Sequence, residues 1–326
     1  MTSGSFRPSW WLRNRHLQTI WQSVFSSRVK LETHRERLEL PDGDFVDLDW
    51  TGEEGPIAIV LHGLEGSIRS PYVRSTLKAL NLHGWQGVLM HFRGCSGETN
   101  RLMRGYHSGE TGDLDYLISE IRRRYPDTPI ALIGFSLGGS VMLRWLSEQG
   151  DQANVVGAVA VSVPFVLNNS VERMDKGLSR FYQRYLLSSL HRSVRAKLAC
   201  MPMDELNVNE DRLQKLTTFK LFDDAITAPL HGFRDAAHYY AETSVRSRLK
   251  SITVSTLIIH SQDDPFMSKS AIPTADELSP STQLELTKRG GHVGFISGPI
   301  PFLGRSWLAR RIPAYLEEQL RAASDK

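Results

Sequence analysis

The chain has 326 residues, 40% of them hydrophobic and 23% charged, with a formal net charge of +3, the balance of a globular protein able to bury a sizeable core. So small a positive excess, with no long basic run and no aromatic RNA-reading motif, argues against nucleic acid as a partner. Two cysteines, Cys95 and Cys200, stand far apart and outside any Cys-x-x-Cys or Cys/His spacing, so they imply neither a disulfide framework nor a structural zinc site and read as reduced thiols.

At the N-terminus no apolar h-region precedes a small-residue cleavage site, and nowhere do about 18 apolar residues run unbroken; the expected location is the cytoplasm. Asn168-Asn169-Ser170 matches a glycosylation acceptor, which has no consequence there. Residues 10–25 read as an amphipathic helix with Leu17, Ile20, Trp21, Val24 and Phe25 on one face and Arg15, Gln18, Thr19 and Gln22 elsewhere. Two uses of that face stand open. Trp10, Trp11 and Trp21 with Arg13 and Arg15 suit a membrane interface, whereas the short length and few charges favour packing against the protein's own surface.

Residues 37–50 alternate around Pro41-Asp42-Gly43-Asp44, predicting two antiparallel strands joined by a turn. Short, continuously apolar runs then follow at 57–61, 87–90, 130–133 and 155–163, with helical text near 72–82 and 114–125 between them. Strand and helix alternate as in a parallel, doubly wound sheet, and the pattern resumes at 256–260, 283–286 and a terminal helix over 305–322. From 165 to about 248 the strand signal vanishes, and Phe181, Tyr185, Leu186, Leu190, Val194 and Leu198 recur at helical steps. This stretch predicts a helical cap after the sixth strand that overhangs the site and walls an acyl pocket, or a subdomain core in which those side chains pack together; both readings can hold.

The chemistry concentrates at Gly134-Phe135-Ser136-Leu137-Gly138-Gly139, directly after the run 130–133 and before a helix. A serine held in a strained turn above a sheet needs neighbours that are nearly free of side chains, and Gly134, Gly138 and Gly139 meet that need. A hydroxyl is a poor nucleophile until a base takes its proton, and imidazole is the side chain whose ordinary pKa lies near neutrality. His292, after Gly290-Gly291, is the candidate base, and an acid behind the ring would fix its tautomer. Asp263 and Asp264 compete for that role; Asp264, next to Pro265, is favoured, and the other is expected to cap the turn. The order serine, acid, histidine along the chain is one of the known arrangements, and all three lie where loops leave strand ends.

An oxyanion formed on attack needs backbone N–H donors. The Leu137 amide is one, and the loop His62-Gly63-Leu64-Glu65-Gly66 supplies the Leu64 amide as the second, with His62 structural. His16, His91, His107, His231, His238 and His260 have no comparable setting. Ser75-Thr76-Leu77-Lys78 matches Ser-x-x-Lys, but no Ser-Asp-Asn or Lys-Thr-Gly accompanies it, so it reads as coincidence on a helix. Arg93-Gly94-Cys95-Ser96-Gly97 could wall the site, although Cys95 has no base assigned to it.

Four stretches carry a family resemblance: residues 13–19 (Arg-Asn-Arg-His-Leu-Gln-Thr), 62–66, 91–97 and 134–139 resemble the YheT-like α/β-hydrolases over most of the chain. That group includes membrane-associated esterases, phospholipases and medium-chain alcohol acyltransferases, so the resemblance implies acyl transfer and leaves the substrate open. It also implies Ser136, Asp264 and His292 as the charge-relay set. The resulting expectation is an α/β-hydrolase fold, a mostly parallel doubly wound sheet with antiparallel N-terminal strands, residues 1–30 forming an amphipathic segment and 31–326 the main domain with its cap at about 165–248. The expected activity is hydrolysis of carboxylic esters of short to medium acyl chain, with no cofactor and no metal and with a small-molecule ester or lipid as substrate. An alcohol in place of water as acyl acceptor, a lipid esterase at a membrane surface, and a non-catalytic binding module on the same scaffold are the alternatives.

Overall fold

The computed structural model describes residues 2–3, 6–25, 29–201, 208–301 and 303–325. In chain order its main strands are β1 (Thr2–Ser3), β2 (His34–Glu39), β3 (Phe45–Thr51), β4 (Ile57–Leu61), β5 (Gln86–Met90), β6 (Ile130–Phe135), β7 (Gly157–Val161), β8 (Thr256–Ser261) and β9 (Thr282–Thr287). They form one sheet in the order β1-β9-β8-β7-β6-β4-β5-β3-β2. β3 pairs antiparallel with both β2 and β5, and the remaining neighbours are parallel. Two short strands, β10 (Ile296–Ser297) and β11 (Arg305–Ser306), make a separate antiparallel ribbon.

The α-helices are α1 (Arg15–Phe25), α2 (Pro71–Leu82), α3 (Gly112–Arg124), α4 (Leu137–Gln149), α5 (Leu167–Met174), α6 (Ser179–Cys200), α7 (Glu210–Lys215), α8 (Phe219–Phe222), α9 (Ala228–Leu230), α10 (Ala236–Thr243) and α11 (Leu308–Ser324). The central strands are apolar on both sides because helices cover both faces. Successive residues of β4 show the division: Ile57, Ile59 and Leu61 join the core under α3 and α4, and Ala58 and Val60 join the core under α2 and α11. β6 divides likewise, with Leu132 on the first side and Ala131, Ile133 and Phe135 on the second. After β4 the chain builds β5 on one side and β6 on the other, so the strand order reverses there, and such a switch point opens a crevice at the carboxyl ends of the strands.

Between β7 and β8 the chain makes helices α5 to α10, interrupted by one π turn at Asp223–Thr227. They carry their own apolar cluster, including Leu187, Val194, Leu213, Phe219 and Phe222. Leu186, Leu190 and Leu198 of α6 pack against that cluster. Phe181 and Tyr185 do not: they are 65% and 70% exposed, and their spacing overstated the buried face of the helix.

The N-terminal segment departs further from its periodicity. The helix begins at Arg15 rather than at residue 10, with Trp10 and Trp11 in a turn before it. Its inward side is formed by Gln18, Trp21 and Gln22, while Leu17 and Ile20 are exposed; the side chains of Val24 and Phe25 lie outside the described residues. The glutamines go inside because their side-chain amides bond the Gly294 carbonyl and both backbone groups of Ile296 there, which offsets much of the cost of burying them. At the other end of the chain the helix starts at Leu308, since Arg305 and Ser306 are committed to the ribbon with β10. Among the described residues no helix is long and apolar enough to cross a membrane.

Candidate active site

Ser136 stands between β6 and α4 with φ 51° and ψ −119°, a conformation that costs a non-glycine residue about 1–3 kcal/mol and persists only where its surroundings impose it. Its amide donates to the Val161 carbonyl at 2.8 Å. Gly138 lets the turn sit against β4: a Cβ there would lie 2.5 Å from the His62 carbonyl oxygen and 2.6 Å from that of Leu61. The hydroxyl is half-buried and open to the crevice.

His292 arrives from the loop after β9. Its Nε2 is 3.0 Å from Ser136 Oγ, and its Nδ1 is 2.8 Å from Asp264 Oδ2. Asp264 is nearly fully buried, and its Oδ1 accepts the Phe266 amide at 2.8 Å. Asp263 points elsewhere: its Oδ1 accepts the Gly291 amide at 3.0 Å, tying the histidine loop from below. Burial pushes the Asp263 carboxyl up from its ordinary range. Phe266 stacks on the imidazole with centroids 4.0 Å apart and planes 12° from parallel, a contact the sequence offered only as the aromatic after Asp264-Pro265.

On the other side of Ser136, the loop after β4 is held tightly. The Gly63 amide donates to the Tyr72 hydroxyl at 2.9 Å and the Glu65 amide to the Tyr106 hydroxyl at 2.8 Å, so Leu64 lies between two amides already committed. The Leu137 amide is the first N–H of α4, which helix geometry leaves without an acceptor inside the helix. His62 is wholly buried, with Nδ1 2.7 Å from the Gly63 carbonyl and Nε2 accepting the Phe92 amide at 3.1 Å. Burial holds its pKa down at about 3, which keeps it a neutral structural strut.

These groups open into a cavity of about 970 Å³ lined by Ser136, Leu64 and His292, by Leu186, Leu190 and Phe222 of the cap, and by Thr19 and Ile20 of α1. Arg93 and Gly94 also line it, and Arg93 is a buried strut: its guanidinium is 2.6–2.8 Å from Asp113, 2.7 Å from Asp42 and 3.1 Å from Asp44. Cys95 is kept a thiol by burial, which pushes its pKa well up. The other histidines pair away from the serine, for example His91 with Asp49 at 2.7 Å and His16 with Tyr182 at 3.1 Å. Ser75, of the Ser-x-x-Lys match, bonds the Tyr72 carbonyl within α2. Among the described residues no cluster of histidine, cysteine or acidic side chains could hold a metal ion.

What the sequence did not disclose is that α1 shapes this site. Thr19 accepts the backbone N–H of His292 at 2.9 Å, and the only hint was that residues 13–19 form a recurring stretch of the family resemblance.

Residues 56–299 match the model of the family described as alpha/beta hydrolase fold. The chain is 44% identical to YheT of Escherichia coli K12 over 99% of this chain and 96% of that one. It is 32% identical to the monoacylglycerol lipase of Saccharomyces cerevisiae over 91% of this chain and 65% of the yeast protein. Among solved structures, the esterase Pf2001 of Pyrococcus furiosus superposes with a TM-score of 0.60 at 18% identity, over 90% of this chain and 92% of that one. With sheet order, elbow and matched region in agreement, the chain belongs to the α/β-hydrolase family, as a relative of YheT.

Proposed function

We propose that this chain is a serine hydrolase of carboxylic esters with short- to medium-chain acyl groups. Ser136 Oγ attacks the ester carbonyl carbon as its proton passes to His292 Nε2, and Asp264 holds Nδ1–H and stabilises the imidazolium that forms. The Leu64 and Leu137 amides receive the oxyanion. Collapse expels the alcohol, which takes the proton from His292 and leaves an acyl-Ser136. Water then attacks the acyl carbon, gives a proton back through His292, and releases the acid and free serine. The route uses no cofactor.

The observation that carries this reading is the unbroken relay of 3.0 and 2.8 Å from Ser136 through His292 to Asp264 at the floor of a largely apolar cavity. The esterase and lipase names among its relatives and structural neighbours support it. A cytoplasmic setting belongs to the same reading, supported by two unpaired thiols. Ser136→Ala is expected to abolish turnover of activated short-chain esters with the thermal midpoint preserved, and to remove labelling by a fluorophosphonate; unchanged turnover rejects the assignment.

One observation favours a second property, contact with a lipid surface. Ile20 and Tyr185 line the cavity and are exposed, and Leu17 and Phe181 on the same two helices, with Leu178 just before α6, are exposed as well. Cations Arg13, Arg180 and Arg184 accompany them, in the mixture that suits an interface. Trp21 is buried and Trp11 packs on it at 4.6 Å, so of the three indoles only Trp10 is available. Flotation with anionic vesicles tests this: loss of binding in Trp10→Glu/Phe181→Glu supports the contact, and recovery equal to the parent removes it.

A further inference from the structure

The loop that presents His292 is held in an unfavourable backbone. Gly291, Val293 and Phe295 have φ of 61°, 56° and 48°, a region that a β-branched or bulky residue occupies only under constraint. Side chains from other elements supply that constraint. Ser162 Oγ, at the end of β7, accepts the Val293 amide at 3.0 Å. The rest come from α1: Thr19 Oγ1 accepts the His292 amide at 2.9 Å, Gln22 Nε2 donates to the Gly294 carbonyl at 2.9 Å, and Gln18 takes both sides of Ile296, its Oε1 accepting N–H at 2.7 Å and its Nε2 donating to the carbonyl at 3.0 Å.

The loop is also shaped to receive this helix. A Cβ at Gly291 would sit 2.5 Å from the Arg15 carbonyl oxygen and 2.6 Å from Thr19 Oγ1, and one at Gly294 would sit 2.4 Å from the Gln18 carbonyl oxygen. Glycines therefore make the groove in which α1 lies. The Thr19 hydroxyl spends its proton on the Arg15 carbonyl at 2.9 Å, so a lone pair faces the His292 amide. A valine would keep the shape and leave that partly buried N–H without an acceptor.

We infer that Thr19 is a positioning residue for His292, and that α1, which lies outside the matched family region of 56–299, is a working part of the active site. The inference rests on the reading of His292 as the base. Releasing the amide lets the loop relax toward ordinary dihedrals, moving the imidazole relative to Ser136; misplacement on the order of 1 Å costs about 100-fold in rate.

The experiment compares Thr19→Val, Thr19→Ser and Ser136→Ala, with kcat of the two Thr19 variants normalised to sites titrated by a fluorophosphonate so that a loss of folded protein does not count, and with turnover of Ser136→Ala expressed per mole of folded protein. Thr19→Val is expected to lower kcat per titrated site by about 10- to 100-fold with KM within about twofold, and Thr19→Ser, which keeps the acceptor, to restore it. A fall of less than tenfold in Thr19→Val overturns the inference. Should valine abolish folding, hydrogen exchange at the His292 amide of the parent decides: protection supports the bond, and exchange at the rate of an open loop amide overturns it. Turnover surviving in Ser136→Ala would instead overturn the catalytic reading itself, whatever Thr19 does.

Discussion

Asp263 and Asp264 are adjacent and both tied to the histidine loop, so exchanging each for asparagine separates orientation of the imidazole from support of its loop. Asp264 uses both oxygens as acceptors, Oδ2 toward His292 Nδ1 at 2.8 Å and Oδ1 toward the Phe266 amide at 2.8 Å. An asparagine has one acceptor. If it keeps the Phe266 bond, its NH₂ faces Nδ1, which must then be the unprotonated nitrogen. The ring proton moves to Nε2, where it confronts Ser136 Oγ and cannot accept that hydroxyl's proton. If the amide turns over, the NH₂ confronts the Phe266 N–H, at a cost of about 1–3 kcal/mol, and the negative charge behind the ring is gone all the same. Either way Asp264→Asn is expected to lower kcat by about 10⁴-fold, or about 5.4 kcal/mol of barrier. Asp263 needs a single acceptor for the Gly291 amide, which an asparagine oxygen provides, and burial already disfavours its charge. Asp263→Asn is therefore expected to stay within about threefold of the parent, since the Gly291 bond that ties the histidine loop survives the exchange. Steady-state hydrolysis of an activated ester, read against the Ser136→Ala background, measures both. Asp264→Asn within tenfold of the parent, or Asp263→Asn as damaged as Asp264→Asn, would refute the reasoning.

Arg93 neutralises Asp42, Asp44 and Asp113 from a side chain only 3% exposed. Arg93→Ala strands those carboxylates and is expected to cost about 3–5 kcal/mol, or a drop of about 4–7 °C in thermal midpoint; a midpoint within about 1 °C of the parent would contradict it. His260 is fully buried, with burial holding its pKa at about 4. Unfolding restores the ordinary value, so between these limits the unfolded chain binds the extra proton. This contribution is complete above pH 6.5 or so and is lost as the pH falls toward about 4, at about 1.4 kcal/mol per pH unit. His260→Gln is expected to remove that increment from the slope of unfolding free energy against pH between about 6 and 5 in urea titrations, and an unaltered slope would show that the imidazole is not held neutral.

Much of this molecule is decided by short-range chemistry and can be read without coordinates. Continuous apolar runs of strand length, separated by helical text, mean a sheet covered on both faces, because only such a strand has no polar side to spare. The Gly134 to Gly139 turn is legible for the same local reason: the steric need sits in the residues themselves. The order of Ser136, Asp264 and His292 was legible as a pattern, although only the fold brings residues 156 and 28 positions apart within hydrogen-bonding reach. Which of two neighbouring aspartates turns toward the imidazole depends on how the strand end bends, and no periodicity records that. The N-terminal helix shows the limit most clearly. Its hydrophobic pattern pointed to Leu17 and Ile20 as the inward face, yet Gln18 and Gln22 are inside, because a strained loop more than 270 residues away presents backbone groups that their amides bond. Composition and pattern settle which segments become strand or helix; where distant polar groups meet, and hence which side chains surround His292, is settled by packing alone.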